Sequence, residues 1–177
     1  MTNEADRQLL LQIARGAIAA QVSGSARPAP ESSDAIERRG GAFVTLHLEG
    51  RLRGCIGHVE ANESLAHVVA RCAVAAATTD PRFPAVEAAE LNQIDIELSL
   101  LGPLEPVSRL EDIEIGRHGL IVETGWNRGL LLPQVASERK WDRETFLAET
   151  CRKAGLATDA WEKGARLWRF EAEVFGE

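Results

Sequence analysis

A cysteine between two glycines and two residues from an arginine, in Leu52-Arg53-Gly54-Cys55-Ile56-Gly57, is where this chain has the most evident capacity for chemistry. Strict alternation along an extended segment puts Leu52, Gly54 and Ile56 on one face and Arg51, Arg53, Cys55 and Gly57 on the other. The thiol then shares its face with two guanidinium groups. A neighbouring cation favours thiolate over thiol, and flanking glycines remove side chains that would block access or deny a ligand the backbone. A cysteine so placed can act as nucleophile or metal ligand. The same residues equally describe a bulge-forming glycine pair around an inert, half-buried cysteine.

Two further residues could complete such a site. His118 sits in Gly116-Arg117-His118-Gly119, read as a tight turn that holds an imidazole at the surface or at a cleft rim, a good place for a general base. Histidine also tolerates left-handed turn conformations for purely structural reasons. Glu97 lies on the polar face of an alternating segment and becomes an orienting acid only beside Cys55 or His118. Brought together, the three supply the nucleophile, base and orienter of thiol-dependent acyl transfer, or a Cys/His/Glu metal site with an open position. Two other matches fail. His58-Val59-Glu60 imitates the HxE of zinc deaminases without the downstream Pro-Cys-x-x-Cys, and Gly54 to Gly57 lacks the lysine and following helix of a phosphate loop. His47 and His67 are assigned no role. The tryptophans read as structural, with Trp126 and Trp141 available to line a pocket wall.

The elements that must position these residues follow from hydrophobic spacing. Leu9, Leu10, Ile13, Ala17 and Ile18 recur at helical intervals from Glu4 to Val22, ahead of Gly24. A Ser, Pro and Ala-rich surface loop is expected over 23–35. Residues 41–48 and 51–58 read as two strands around the Glu49-Gly50 corner. Asn62 caps a helix with Leu65, Val68, Val69, Cys72 and Ala76 on one face, which makes Cys72 a core residue. Ile94, Ile96, Leu98 and Leu100 alternate as a half-buried strand. Residues 119–123 and 129–132 form a hairpin around Gly125 to Arg128. Asp142 caps a helix through Cys151 that stops at Gly155, a shorter helical segment surrounds Trp161, and 167–175 alternate as a last strand. Strands that arrive in hairpins predict an α+β fold, mainly antiparallel sheet flanked by helices, rather than a doubly wound parallel sheet.

Composition bounds the function. With 177 residues the chain suffices for one domain, or one core with a small satellite lobe. A net charge of −7 repels phosphate backbones and anionic lipid, and no basic helix is present, which argues against nucleic acid and membrane as partners. Three widely spaced cysteines with no CxxC pair, and no secretory leader, predict a reduced, cytoplasmic protein. Arginine outnumbers lysine heavily, which suits bidentate anion recognition but also follows from genome composition.

The motifs Leu52 to Gly57, Asp80-Pro81-Arg82-Phe83, Ile96-Glu97-Leu98-Ser99, Gly116 to Leu120 and Gly129 to Gln134 occur in the order seen in the AMMECR domain family. So do Trp141, Phe146-Leu147, Cys151 and Lys153-Ala154-Gly155. From about Gly41 onward the chain resembles that family, whose prokaryotic members are called AmmeMemoRadiSam system protein A. The resemblance implies a single α+β domain over 1–177 in two unequal lobes, with motif residues near a cleft. By position it nominates Cys55, His118 and Glu97 as catalytic residues and Arg53, Asp80, Arg82 and Gln134 as ligand-binding ones, with no metal and no cofactor specified. One departure is His58, where the family usually has a small hydroxyl residue, so the surroundings of Cys55 should be more titratable here. Memo-type and radical SAM proteins are the partners it suggests, within a shared modification pathway. Two functions result: a cysteine-dependent enzyme acting on a small molecule or a protein side chain, or a non-catalytic binding module using the same cleft.

Overall fold

The computed structural model describes residues 2–26, 33–60 and 62–177. The chain packs as two units, Met1–Leu101 with Glu173–Glu177, and Gly102–Ala172.

The first unit begins with helix α1 (Glu4–Ser23), whose N-terminus is closed by a reciprocal capping box between Asn3 and Asp6 and whose end is the left-handed Gly24. A single turn, α2 (Asp34–Glu37), precedes strand β1 (Ala42–Leu48) and strand β2 (Arg51–His58). Both corner residues, Glu49 and Gly50, have positive φ, as a tight two-residue hairpin requires. Helix α3 (Leu65–Thr78) and strand β3 (Ile94–Leu101) follow. β1 lies between β2 and β3, antiparallel to both, and β2 is the edge strand. One side of this sheet meets α1 and α3 in a core that buries Leu10, Ile18, Val69, Cys72, Leu46 and Leu98 completely or nearly so. Each of the Leu, Ile and Val side chains contributes about 1.5–3 kcal/mol over leaving it in water. The chain end returns to this unit, where Glu177 N–H donates to the Ile96 carbonyl.

The second unit contains the short strand β4 (Glu105–Pro106), the hairpin of β5 (His118–Thr124) and β6 (Asn127–Leu131), helix α4 (Pro133–Glu138), helix α5 (Arg143–Lys153) and strand β7 (Arg166–Gly176), whose last residues belong to the first unit. β5 lies between β6 and β7, and β4 pairs with β7 on its own, all antiparallel. Phe146 and Leu147 of α5 close a core with Ile113, Leu120 and Ala136.

The α+β, antiparallel architecture is as expected, with local corrections. Of the loop expected over 23–35, residues 27–32 lie outside the described ones, Ser23 closes α1, and Asp34 starts a helical turn because Ile36 behind it is fully buried. Ser64, not Asn62, caps α3: its side chain accepts from His67 N–H. No helix forms around Trp161, where the chain makes successive turns. The helix α4 was not anticipated, although Pro133 at its first position is a recognised start signal. Among the described residues no helix is long and apolar enough to cross a membrane.

Candidate functional site

The hairpin β1–β2 places Cys55, and a bulge decides how. Leu48 pairs with Arg51 and His47 with Leu52, but Leu46 pairs with Gly54, so Arg53 is an extra residue. Beyond it Thr45 stands opposite Cys55, and Thr45 also stands opposite Glu97 on β3. Cys55, Thr45 and Glu97 therefore form one row on the sheet face turned away from α1 and α3. The alternation expected from the sequence breaks at Arg53: Arg51 and Leu52 exchange faces, and Cys55 does not share its side with Arg51.

Thr45 Oγ1 donates to Cys55 Sγ at 3.4 Å, and the threonine is 9% exposed. Strands in a sheet are about 4.8 Å apart, so Glu97, two strands from Cys55, reaches the thiol only through Thr45. The next residue of that face of β3, Ser99, is buried with an unpartnered Oγ.

The backbone of Cys55 is held at the open edge of β2. Its N–H donates to Asp80 Oδ2 at 2.9 Å and its carbonyl accepts from Arg82 Nη2 at 3.4 Å. Arg82 also binds Asp80 through Nε and Nη2, and its amide donates to Oδ1. The Arg82 guanidinium, acting against the cost of burial and aided by the two amides, holds the Asp80 carboxyl well below the usual carboxylate range. Asp80 and Arg82, nominated as ligand-binding, thus spend their hydrogen bonds on positioning Cys55 and shielding a strand edge.

Arg53 is likewise engaged. Its guanidinium grips both oxygens of Glu90, at 2.8 and 3.0 Å, and donates to the carbonyls of Pro84 and Ala85. The free cation expected beside the thiol is paired. The glycines do not serve access either. A Cβ on Gly54 would lie 2.2 Å from the Ala76 carbonyl oxygen of α3, and one on Gly57 would lie 2.3 Å from the Phe43 ring. Close packing requires both glycines. His58 stands opposite Ala42, on the side away from Cys55, and its Nε2 meets Arg71 Nη1 at 3.0 Å. It therefore adds no titratable group beside Cys55.

His118 belongs to the second unit, where it is the first residue of β5 rather than part of the preceding turn, and is 7% exposed. Glu114 N–H donates to its Nδ1 at 2.9 Å, so the neutral ring carries its proton on Nε2. Burial, then the Arg169 and Arg117 cations, push it below the usual imidazole value against the opposing Glu171 and Glu114. Such a ring offers a donor, not the base anticipated for it. Long-range 15N–1H spectra should show Nδ1 bare, Nε2 protonated and a titration midpoint below the ordinary 6.5 or so; a protonated Nδ1 would contradict the assignment. Gln134, also in this unit, is the second residue of α4, with a buried Oε1 that has no partner. No group of three His, Cys, Asp or Glu among the described residues could hold a metal ion, so the Cys/His/Glu metal reading finds no support.

The family model described as AMMECR1 matches residues 11–175. The chain belongs to the AMMECR1 family. It is 48% identical to a protein of Methanothermobacter thermautotrophicus over 95% of this chain and 92% of that one. It is 42% identical to Protein MJ0810 of Methanocaldococcus jannaschii over 94% and 88%. Uncharacterized Protein PH0010 from Pyrococcus horikoshii, a crystal structure, superposes with a TM-score of 0.88 at 39% identity, covering 95% of this chain and 89% of that one.

In this AMMECR1 domain two residues were missed by sequence reasoning. Thr45 carried no signal, because its place opposite Cys55 depends on the bulge. Glu90 had one, a carboxylate three residues after Glu87 that closes a capping box, but nothing linked it to Arg53. The tryptophans also differ: Trp126 is fully exposed at the β5–β6 corner, Trp141 packs on the second core, and Trp161 and Trp168 line a groove of about 490 Å³ within the second unit.

Proposed function

We propose that this AMMECR1-family chain works through the Cys55 thiol, as a cysteine-dependent enzyme acting on a small molecule or a protein side chain. One observation carries the reading: Thr45 Oγ1 donates to Sγ on a strand whose Cys55 amide and carbonyl are both held. A hydroxyl aimed at sulfur stabilises the thiolate, and a clamped backbone limits where the nucleophile can move. The thiol gives its proton to water and the thiolate attacks an electrophilic carbon; a sulfur–carbon bond forms, the bond from that carbon to the leaving group breaks, and the leaving group departs with that electron pair and takes a proton from water. Glu97, opposite Thr45 in the same row, is kept as the orienting residue of this reading, acting on the position of Thr45 and not by accepting from its hydroxyl, whose one proton goes to Sγ. His118 is assigned no proton-accepting step, since its outward nitrogen already carries the proton. Family resemblance is what suggests a radical-SAM-linked modification pathway with Memo-type and radical SAM partners.

Iodoacetamide modification followed by mass spectrometry tests this. Cys72 and Cys151 should resist, being fully buried, with burial pushing the Cys72 thiol up to about 11 and Cys151 upward as well. Cys55 should react faster than a cysteine in an unstructured peptide, and Thr45→Val should slow it several-fold. Equal rates in peptide, wild type and variant would remove the basis of the proposal. The second reading, a binding or adaptor module on the same face, is favoured by the pairing of both Arg53 and Arg82, which leaves the thiol without an uncompensated cation. Partner binding that survives Cys55→Ala, in a protein with no detectable chemistry, would select it.

A further inference from the structure

The second unit holds a polar cleft of about 450 Å³, within the size range of small-molecule sites, that the Cys55 reading does not use. We propose that it binds a small zwitterion, a molecule with a carboxylate at one end and an ammonium group at the other.

Two donors define one end. His118 lines the cleft with Nδ1 committed to Glu114 N–H, so what it presents there is Nε2–H. Arg143, the first residue of α5, is anchored through Nε to the Ile113 carbonyl at 2.6 Å and makes no ion pair among the described residues, which leaves its terminal N–H groups for the cleft. The other lining arginines are occupied: Arg117 by Glu171 and Glu114, Arg169 by Glu105 and the Asp112 carbonyl. A neutral imidazole donor beside one uncommitted guanidinium matches a single carboxylate.

Charge balance sets the other end. Arg117, Arg143 and Arg169 share the cleft with five carboxylates, those of Glu105, Glu111, Asp112, Glu114 and Glu171. Glu111 is paired with Arg109 at 3.6 Å and Glu114 with Arg117 at 3.2 Å, so once the pairs are made the remaining negative charge centres on Asp112, whose carboxylate has no ion-pair partner among the described residues. A dianion such as a phosphate ester would be repelled, and a plain cation would leave the His118 and Arg143 donors unmet. A ligand bearing one charge of each sign satisfies both ends.

The test titrates 15N-labelled protein with glycine, β-alanine and 4-aminobutyrate, which space the two charges differently, and with succinate and putrescine as single-sign controls. At least one amino acid should shift the His118 Nε2–H and Arg143 Nε–H signals saturably, with neither control approaching it. Arg143→Gln should weaken binding at least about tenfold, and His118→Phe should do the same. His118→Gln, which keeps a donor, should retain most of it. Absence of a saturable shift with all three amino acids overturns the proposal, as does an equal or larger response to succinate or putrescine. Should a variant fail to fold, the wild-type titration decides alone. Neither failure touches the Cys55 reading, whose readout is alkylation of a different unit.

Discussion

Gly54→Ala should destabilise the first unit by about 3 kcal/mol or more, in the upper range for overpacking and a large share of a typical total stability. The position has no positive φ to forbid a side chain. On backbone entropy alone, alanine in a strand would be favoured over glycine by roughly 0.5–1 kcal/mol. The contact reverses that sign. A Cβ at 2.2 Å from the Ala76 carbonyl oxygen, and 3.1 Å from the carbonyl carbon, meets main chain that cannot rotate away. Relief requires α3 to lift from β2, which loosens Val69, Cys72 and Ala76 against the sheet. Gly40→Ala is the control, because the nearest atom there, at 3.3 Å, is the end of the Leu65 side chain. Urea denaturation should separate the two variants clearly. A Gly54→Ala protein within about 1 kcal/mol of wild type would mean that α3 has room to move.

The same contact explains what could and could not be read from the chain. Helices and strands with long apolar periodicity, such as Glu4 to Ser23 and Ile94 to Leu101, were legible because each has to bury one face. Register was not. An unbroken hairpin around Glu49-Gly50 would have set Val44 against Cys55 and turned the thiol into the core. The extra residue, Arg53, brings Thr45 there instead. That bulge lets Gly54 sit beneath the Ala76 carbonyl, a contact between residues far apart in sequence. Charge state was hidden for the same reason. Arg53 looked like a cation for Cys55 until Glu90, 37 residues away, took it. At His118 a small boundary difference sufficed: a turn residue became a strand residue, and Glu114 N–H chose its tautomer. The family, by contrast, was legible from short motifs, and their structural purpose is now visible in part: Asp80 and Arg82 of the Asp-Pro-Arg-Phe segment hold the Cys55 backbone.

Asp80→Asn should cost about 3 kcal/mol at neutral pH, and the loss should shrink on acidification. The Asp80 side chain is 2% exposed and its two oxygens accept four N–H bonds, from Cys55 N–H, Arg82 N–H, Arg82 Nε and Arg82 Nη2. An amide keeps one acceptor and turns two donors toward donors, so buried N–H groups lose their partners. Arg82, half-exposed, recovers part of its loss from water, and the penalty therefore centres on the Cys55 amide and the β2 edge. The folded carboxyl lies well below the unfolded value of about 3.9, so its contribution is complete above that value and is lost as pH falls through the folded one. The gap between wild type and Asp80→Asn should thus be constant between about pH 7 and 5 and narrow below about pH 4. Denaturation at each pH measures it, and a gap that persists unchanged to about pH 3 would show that the carboxylate charge is not what holds the strand. Hydrogen exchange supplies the local readout: the Cys55 amide should exchange faster in Asp80→Asn than in wild type by more than the global destabilisation accounts for. If the thiol acts as proposed, that loosening carries into chemistry, because the nucleophile would then sit on an edge strand with neither its N–H nor its carbonyl securely held.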